Sequence, residues 1–152
     1  MRRIPHFNFP IKIDLGCGKN KIDGHVGVDR DDFGQEVVWD ATHGLPFPND
    51  SVDGFHSSHF FEHIRWEDLA YLLSEIIRVC KGGTRITIVV PHAETKEAYY
   101  LCHYSRWNEQ VVEGIVADSP NLEFETSGRR GINFDFTLIV RKPAKPEWGT
   151  SS

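Results

Sequence analysis

The sequence predicts an α/β fold built on a mainly parallel sheet, and three observations carry that expectation. Strand-like and helix-like segments alternate along the chain. A glycine pair, Gly16 and Gly18, follows the first strand at once, and acidic residues stand at the ends of the first three strands. The 152 residues suit one domain with a single sizeable core.

The first strand, Ile11–Leu15, alternates Ile11, Ile13 and Leu15 with Lys12 and Asp14 and runs straight into Gly16-Cys17-Gly18. Val26–Asp29 reads as a second short strand and residues 37–40 as a third. Residues 52–56 read as a fourth, after the loop Leu45-Pro46-Phe47-Pro48. The clearest helix is Trp66–Val79, whose Leu69, Leu72, Leu73, Ile76 and Ile77 recur three and four apart before Gly82-Gly83 ends it. Residues 84–90 make a fifth strand, closed by Pro91. Residues 94–117 read as helical in one or two pieces, with Trp107, Val111, Val112, Ile115 and Val116 as the apolar stripe. Residues 122–125 and 134–140 are the last strands, and Ser127-Gly128-Arg129-Arg130-Gly131 between them predicts an antiparallel hairpin. One domain is expected over residues 1–142, with residues 143–152 as a disordered tail.

Composition narrows the function. At 39% hydrophobic and 26% charged residues the chain is ordinary for a globular protein, and no apolar run approaches the length of a membrane span. A net charge of −5 gives no electrostatic reason to approach a phosphate backbone, so nucleic acid is disfavoured as a partner. Residues 1–10 show no export signal, and the three cysteines have no metal-binding spacing, so a reducing cytoplasmic setting is expected.

In an open α/β sheet, ligands bind beyond the carboxyl ends of the strands. Gly16 and Gly18 stand there without a Cβ, where backbone can approach a ligand closely. Asp29, ending the second strand, can accept hydrogen bonds from both hydroxyls of a ribose. Asp40, ending the third, stands where an adenine amino group would donate.

Six stretches in order carry a resemblance. They are Ile11-Lys12-Ile13-Asp14-Leu15-Gly16-Cys17-Gly18, Val26-Gly27-Val28-Asp29, Trp39-Asp40-Ala41, Leu45-Pro46-Phe47-Pro48, the run from Ser51 to Ile64, and Arg78-Val79-Cys80-Lys81-Gly82-Gly83. Together, over roughly residues 11–92, they resemble the motifs of class I S-adenosylmethionine-dependent methyltransferases, and the chain looks like a small, reduced, type-11-like member. The resemblance implies a Rossmann-like methyltransferase sheet, mostly parallel with an antiparallel C-terminal hairpin. It implies S-adenosylmethionine as cofactor and S-adenosylhomocysteine as product. It further implies that the Gly16-Cys17-Gly18 loop passes under the methionine part of the cofactor, with Asp14 near its ammonium group. Asp29 would hold the ribose, Arg30 would lie along the adenine, and Asp40 with the Ala41 backbone would read the adenine edge. Ser57, Ser58 and His59 would line the sulfonium side.

The sequence departs from the family pattern in its links. Residues 19–25 and 30–36 can hold no more than about two helical turns each, so the helices after the first two strands are expected to be reduced or missing. A nicotinamide-dependent oxidoreductase needs a helix at its glycine loop, which disfavours that rival. Alternation in the strands (Ile86, Ile88 and Val90 against Arg85 and Thr87) predicts one well-buried sheet face. The other, thinly covered face is expected to meet the N-terminal segment, a second copy in a homodimer, or a partner protein.

Methyl transfer from a sulfonium is an in-line displacement that alignment alone can accelerate, and a base is needed only if the acceptor must lose a proton. His92 after the fifth strand, and His103 and Tyr104 in the following segment, are the candidate catalytic residues. The fourth strand does not end in an Asn/Asp-Pro-Pro-aromatic sequence, which argues against methylation of base amino groups. A hydroxyl of a glycan or small molecule is the expected acceptor. His59 and His63 lie four apart but lack a third ligand, so no metal is expected. The alternative is a reduced, methyltransferase-like binding or partner subunit without activity of its own.

Overall fold

The structure, a computed structural model, describes residues 10–143. The N-terminal segment invoked above as a cover, and the expected tail from residue 144 on, lie outside the described residues. The strands are β1 (Ile11–Leu15), β2 (Val26–Asp29), β3 (Val37–Val38), β4 (Val52–Ser58), β5 (Arg85–Pro91), β6 (Leu122–Arg130) and β7 (Asn133–Val140). They form one sheet in the order β3-β2-β1-β4-β5-β7-β6. Neighbours from β3 to β5 pair parallel, while β7 runs antiparallel to both β5 and β6. The mostly parallel sheet with a C-terminal hairpin is the one expected.

Two α-helices, α1 (Trp66–Val79) and α2 (Glu109–Asp118), connect β4 to β5 and β5 to β6. Helix α1 sits where its periodicity puts it, burying Leu69, Leu72, Leu73, Ile76 and Val79. Each fully buried side chain of this kind contributes roughly 1.5–3 kcal/mol of transfer free energy. Glu67 and Asp68 in the first turn suit the positive end of the helix dipole. Facing α1 and α2 across the core are Ile11, Ile13, Leu15, Phe55, Ile86, Ile88, Phe134, Phe136 and Leu138.

Strand β4 runs two residues further than expected and takes in Ser57 and Ser58, and three other boundaries differ in ways that matter to the site or the sheet edge. Only nine residues of the stretch 94–117 form α-helix, because Asn108 caps α2 with its side chain on the Val111 N–H. The chain before it is drawn out of helical geometry. Tyr104 and Ser105 donate their N–H groups to the Glu62 carbonyl, and His92 bridges to Trp107. Strand β6 runs five residues further than its apolar pattern and pairs with β7 up to Arg130, which moves the turn to Gly131 and Ile132. Strand β3 stops at Val38, since Asp40 turns away to cap a 3₁₀ turn at Ala41–His43.

Residues 19–25 and 30–36 contain only turns and bends, so the helices expected to be reduced or missing after β1 and β2 are missing. The sheet face they would cover is polar. Lys12 lies across Gly54, His56 pairs in register with Thr87, and the Thr87 and Thr137 hydroxyls are 3.1 Å apart. Arg85 is paired with Glu125 further along the same side. These cross-strand pairs satisfy one another in water.

Candidate functional site

A cavity of about 540 Å³ lies at the carboxyl ends of the parallel strands. That falls within the roughly 300–1,000 Å³ of small-molecule sites. Leu15 and Gly16 from β1, Val28 and Asp29 from β2, and Trp39 to Thr42 after β3 form one side. His59 and Phe60 after β4, with the turn at Phe61–His63 and the start of α1, form the other. Cys102 and Tyr104 close the rim.

Of the predicted residues, Gly16, Asp29, Arg30, Asp40, Ala41, His59 and Tyr104 line this cavity together. Asp29 accepts the Gly18 N–H on one oxygen and the Asp31 N–H on the other, at 3.0 Å each. A carboxylate has about four acceptor directions, so each oxygen keeps one for a ligand hydroxyl. Asp40 accepts both the N–H and the hydroxyl of Thr42 on Oδ1. The Thr42 hydroxyl leads in holding this carboxyl below its usual range. Gly18 has φ +55° and open space where a Cβ would point, whereas Gly16, at φ +69°, has Phe60 in that space.

The other predicted residues stand outside the cavity lining. Asp14 is buried, with Oδ2 accepting the Ile22 N–H at 3.0 Å. Cys17 is packed inward, and burial, aided by the charge of Asp14, pushes its thiol up to about 11, which suits packing and not nucleophilic attack. Ser57 donates its hydroxyl to the Leu15 carbonyl inside the sheet, and Ser58 precedes the cavity wall. His92 is fully buried against Phe134, with Nε2 2.9 Å from Glu109 and Nδ1 accepting the Glu94 N–H. It ties the end of β5 to the first turn of α2. His103 turns to the Glu97 carbonyl and to the ring of His63.

Several lining residues were not singled out from the sequence. Trp39 donates its indole N–H to the Gly44 carbonyl and presents a flat wall beside Asp40. Arg65 stacks over Tyr104 with its guanidinium 4.2 Å from the ring centre. Trp39 and Asp40 are neighbours in sequence, so their meeting in the cavity wall was readable. The Arg65–Tyr104 pair joins positions with no local sequence relation. His59 has the left-handed φ of +55° and stands 3.3 Å from buried Glu62. That hydrogen bond raises the imidazole above its ordinary range. Glu62 keeps its other oxygen, Oε1, without a hydrogen-bond partner among the described residues.

These features fit S-adenosylmethionine. Carboxylates Asp29, Asp40 and Asp68 face a cavity whose ligand would carry a positive sulfonium. Among the described residues no helix begins at the glycine loop, so the donor-rich cradle that a pyrophosphate requires is missing. No helix of the described residues is long and apolar enough to cross a membrane.

Comparison with known proteins agrees. Residues 28–88 match the type 11 methyltransferase family, described as a methyltransferase domain. Among curated protein sequences nothing matches the chain. A type 11 methyltransferase of Sulfolobus solfataricus superposes with a TM-score of 0.65 at 17% identity, covering 91% of this chain and 88% of that one. The Burkholderia thailandensis 1,6-didemethyltoxoflavin N1-methyltransferase, solved with its substrate and S-adenosylhomocysteine, gives 0.65 at 16%, covering 87% and 71%. A Haloferax volcanii methyltransferase solved with the Trm112 methyltransferase activator gives 0.66 at 15%, covering 88% and 85%. Sheet order, family match and cavity converge on one fold: the chain has the Rossmann-like sheet of the methyltransferases it superposes on, in a form without helices after its first two strands, and residues 28–88 match the methyltransferase-domain family.

Proposed function

We propose that this protein transfers the methyl group of S-adenosylmethionine to a hydroxyl of a small molecule or glycan that enters the cavity past Tyr104. The observation that carries the reading is the joint placement of Asp29, Asp40, Gly16 and His59 around one cavity of small-molecule size. In it Asp29 receives the ribose hydroxyls on its two remaining acceptor directions. Trp39, Asp40 and the Ala41 backbone take the adenine. The open space at Gly18 admits the methionine portion. Bound S-adenosylmethionine supplies a methyl carbon on a positive sulfonium, and its departure leaves the neutral thioether.

His59 is the base that suits a hydroxyl acceptor. Its Nδ1 faces Glu62, which leaves Nε2 to accept the proton as the new carbon–oxygen bond forms. Glu62 is buried and fixes the ring, while the left-handed backbone at His59 holds it at the mouth of β4. A partner protein or second copy at the open rim or the polar sheet face belongs to the same reading. The activator held by the Haloferax volcanii neighbour gives it a precedent of kind.

Isothermal titration with S-adenosylmethionine and S-adenosylhomocysteine tests the site. Micromolar binding of both is expected, weakened at least about tenfold, or 1.4 kcal/mol, in Asp29→Asn. A folded protein that binds neither would leave only the partner-subunit alternative. Transfer of labelled methyl to hydroxyl-bearing acceptors, lost in His59→Asn with cofactor binding kept, tests the base. Equal turnover in that variant would remove His59 from the chemistry.

A further inference from the structure

The sequence offers His59 and His63 as a pair with no third metal ligand, but the fold breaks that pair and makes another. His59 turns its Nδ1 to Glu62, while His63 meets Cys102 and His103, which lie 39 and 40 positions further along the chain. One nitrogen of each histidine and the Cys102 sulfur all lie within 4.8 Å of one another. We propose that His63, Cys102 and His103 bind a borderline-soft divalent ion, Zn²⁺ by preference, at the rim of the cavity.

Three features of the cluster point to a metal. His63 Nδ1 is 2.9 Å from the Cys102 carbonyl, and His103 Nδ1 is 2.6 Å from the Glu97 carbonyl. A carbonyl only accepts, so each Nδ1 carries the proton, and each Nε2 presents its lone pair outward. This backbone anchoring of the far nitrogen is the arrangement that orients metal-ligating histidines. The thiol is the third feature. Cys17 and Cys80 are buried, and burial pushes them up to about 11 and about 12. Cys102 is exposed, so an ion arriving from solvent can reach its sulfur.

The geometry is within reach of closure. With bonds of roughly 2.0–2.3 Å, a tetrahedral Zn²⁺ holds its ligand atoms about 3.3–3.6 Å apart. From separations of up to 4.8 Å, the three atoms need to draw together by no more than about 1.5 Å. The ring–ring contact of His63 and His103, edge to face at 4.7 Å, already brings the imidazoles side by side. One thiolate and two neutral imidazoles favour Zn²⁺ over Mg²⁺ or Ca²⁺, which prefer oxygen. Three protein ligands leave one position open, the pattern of a zinc site that holds water or a substrate atom. His63 and Cys102 both line the cavity, so that position faces it. Metal binding stands independently of methyl transfer, whereas use of the open position by the acceptor oxygen rests on the function proposed above.

The test uses the full-length, tag-free protein, stripped with chelator and titrated with Co²⁺ as a spectroscopic stand-in for Zn²⁺. A thiolate-to-cobalt charge-transfer band in the near ultraviolet is expected, with intense visible bands of a tetrahedral ion, both bleached by one equivalent of Zn²⁺. Cys102→Ser should abolish the charge-transfer band, and His103→Gln should weaken Co²⁺ binding at least about tenfold. All three side chains are wholly or partly exposed, and circular dichroism of the variants checks that they fold. Absence of the band in the wild type, or a band unchanged in folded Cys102→Ser, overturns the site and leaves the cluster a ring contact with two hydrogen bonds. Isothermal titration with S-adenosylhomocysteine on the same metal-free sample separates failure of this site from failure of the cofactor site.

Discussion

Replacing Gly16 by alanine asks the fold for space that Phe60 already fills. The backbone there has φ +69°, and a Cβ built on it would stand 2.6–2.7 Å from three atoms of the Phe60 side chain. Carbon atoms rest comfortably at about 3.5–4.0 Å, so Phe60 would have to retreat by about an ångström. Overpacking of that kind typically costs about 1–3 kcal/mol, and the left-handed backbone adds about 1–2 kcal/mol for a residue with a side chain. The expected loss is therefore about 2–5 kcal/mol. Gly18 provides the internal control, because its φ is +55° but nothing stands within 4 Å of its missing Cβ. Gly18→Ala should lose only the backbone contribution, about 1–2 kcal/mol. Urea unfolding without ligand separates the two. With a slope of about 1–3 kcal/mol per molar, the Gly16 variant should melt on the order of 1 M earlier than the Gly18 variant. Titration with S-adenosylhomocysteine then asks where ligand binding is hurt. If Gly16→Ala unfolds no earlier than Gly18→Ala yet binds no ligand, the glycine serves the cofactor directly and the Phe60 explanation is refuted.

Glu75 and Arg78 on α1 hold the Leu45-Pro46-Phe47-Pro48 loop: Glu75 accepts the Leu45 N–H, and Arg78 donates to the Leu45 and Phe47 carbonyls. Hydrogen bonding by Arg78 keeps the Glu75 carboxyl below its usual range. Its stabilisation is therefore full above the ordinary value near 4.5 and is lost as pH falls through the lowered one. Glu75→Gln should lose about 1–3 kcal/mol at pH 7 and show a flatter acid limb in unfolding scans, and an unchanged limb would refute the pairing. His59→Gly should lose methyl transfer, and the relief of left-handed strain, about 1–3 kcal/mol, should roughly offset the cost of leaving buried Glu62 unpartnered, also about 1–3 kcal/mol, so thermal unfolding should shift little. Because Glu62 raises the His59 imidazole, their pairing stabilises the wild type below the ordinary histidine range and fades as pH rises through the raised value. The ring is 45% exposed, so this pH effect should be small, and the glycine variant should lack it. His92→Phe should cost stability through the lost Glu109 contact but leave S-adenosylhomocysteine affinity intact, since His92 stands outside the cavity lining.

Legibility in the sequence followed the range of the interactions. Helix α1 was readable residue by residue because its stripe of Leu69, Leu72, Leu73 and Ile76 is set by helical periodicity and a large buried face. Asp29 and Asp40 were readable because strand ends are fixed by the strands before them. Strand β6 was underread beyond Glu125 because an edge strand with exposed residues on both faces has no apolar alternation to display, and its length comes from pairing with β7. The segment before α2 was overread as helix. Its geometry is dictated by Glu62 and Phe61, whose carbonyls take Tyr104, Ser105 and the Ser105 hydroxyl across more than forty positions. The meeting of His63 with Cys102 and His103 has the same origin, and no local pattern announces it.

The two missing helices change what the strand-end carboxylates must do. In their place, side chains bind the links directly: Asp14 holds the Ile22 N–H, Asp29 holds the N–H groups of Gly18 and Asp31, and Glu36 holds that of Gly27 while pairing with Lys21. Gln35 completes the second link by donating to the carbonyls of Asp29, Asp31 and Val37. A helix satisfies its own backbone groups internally, whereas a seven-residue link cannot, and unsatisfied groups near a sheet end cost about 1–3 kcal/mol each. The presence of Asp14 and Asp29 is thus explained in part by loop-holding alone and is weaker support for cofactor binding than position suggests. What loop-holding does not explain is geometry. Asp29 carries one backbone N–H on each oxygen while facing a cavity, an arrangement that leaves two aligned acceptor directions free, whereas Asp14 is buried away from it. The functional weight of the proposed site therefore falls on Asp29 and Asp40, and the short links are compatible with it because Asp29, which grips both links, also faces the cavity with the acceptor directions proposed for a ribose.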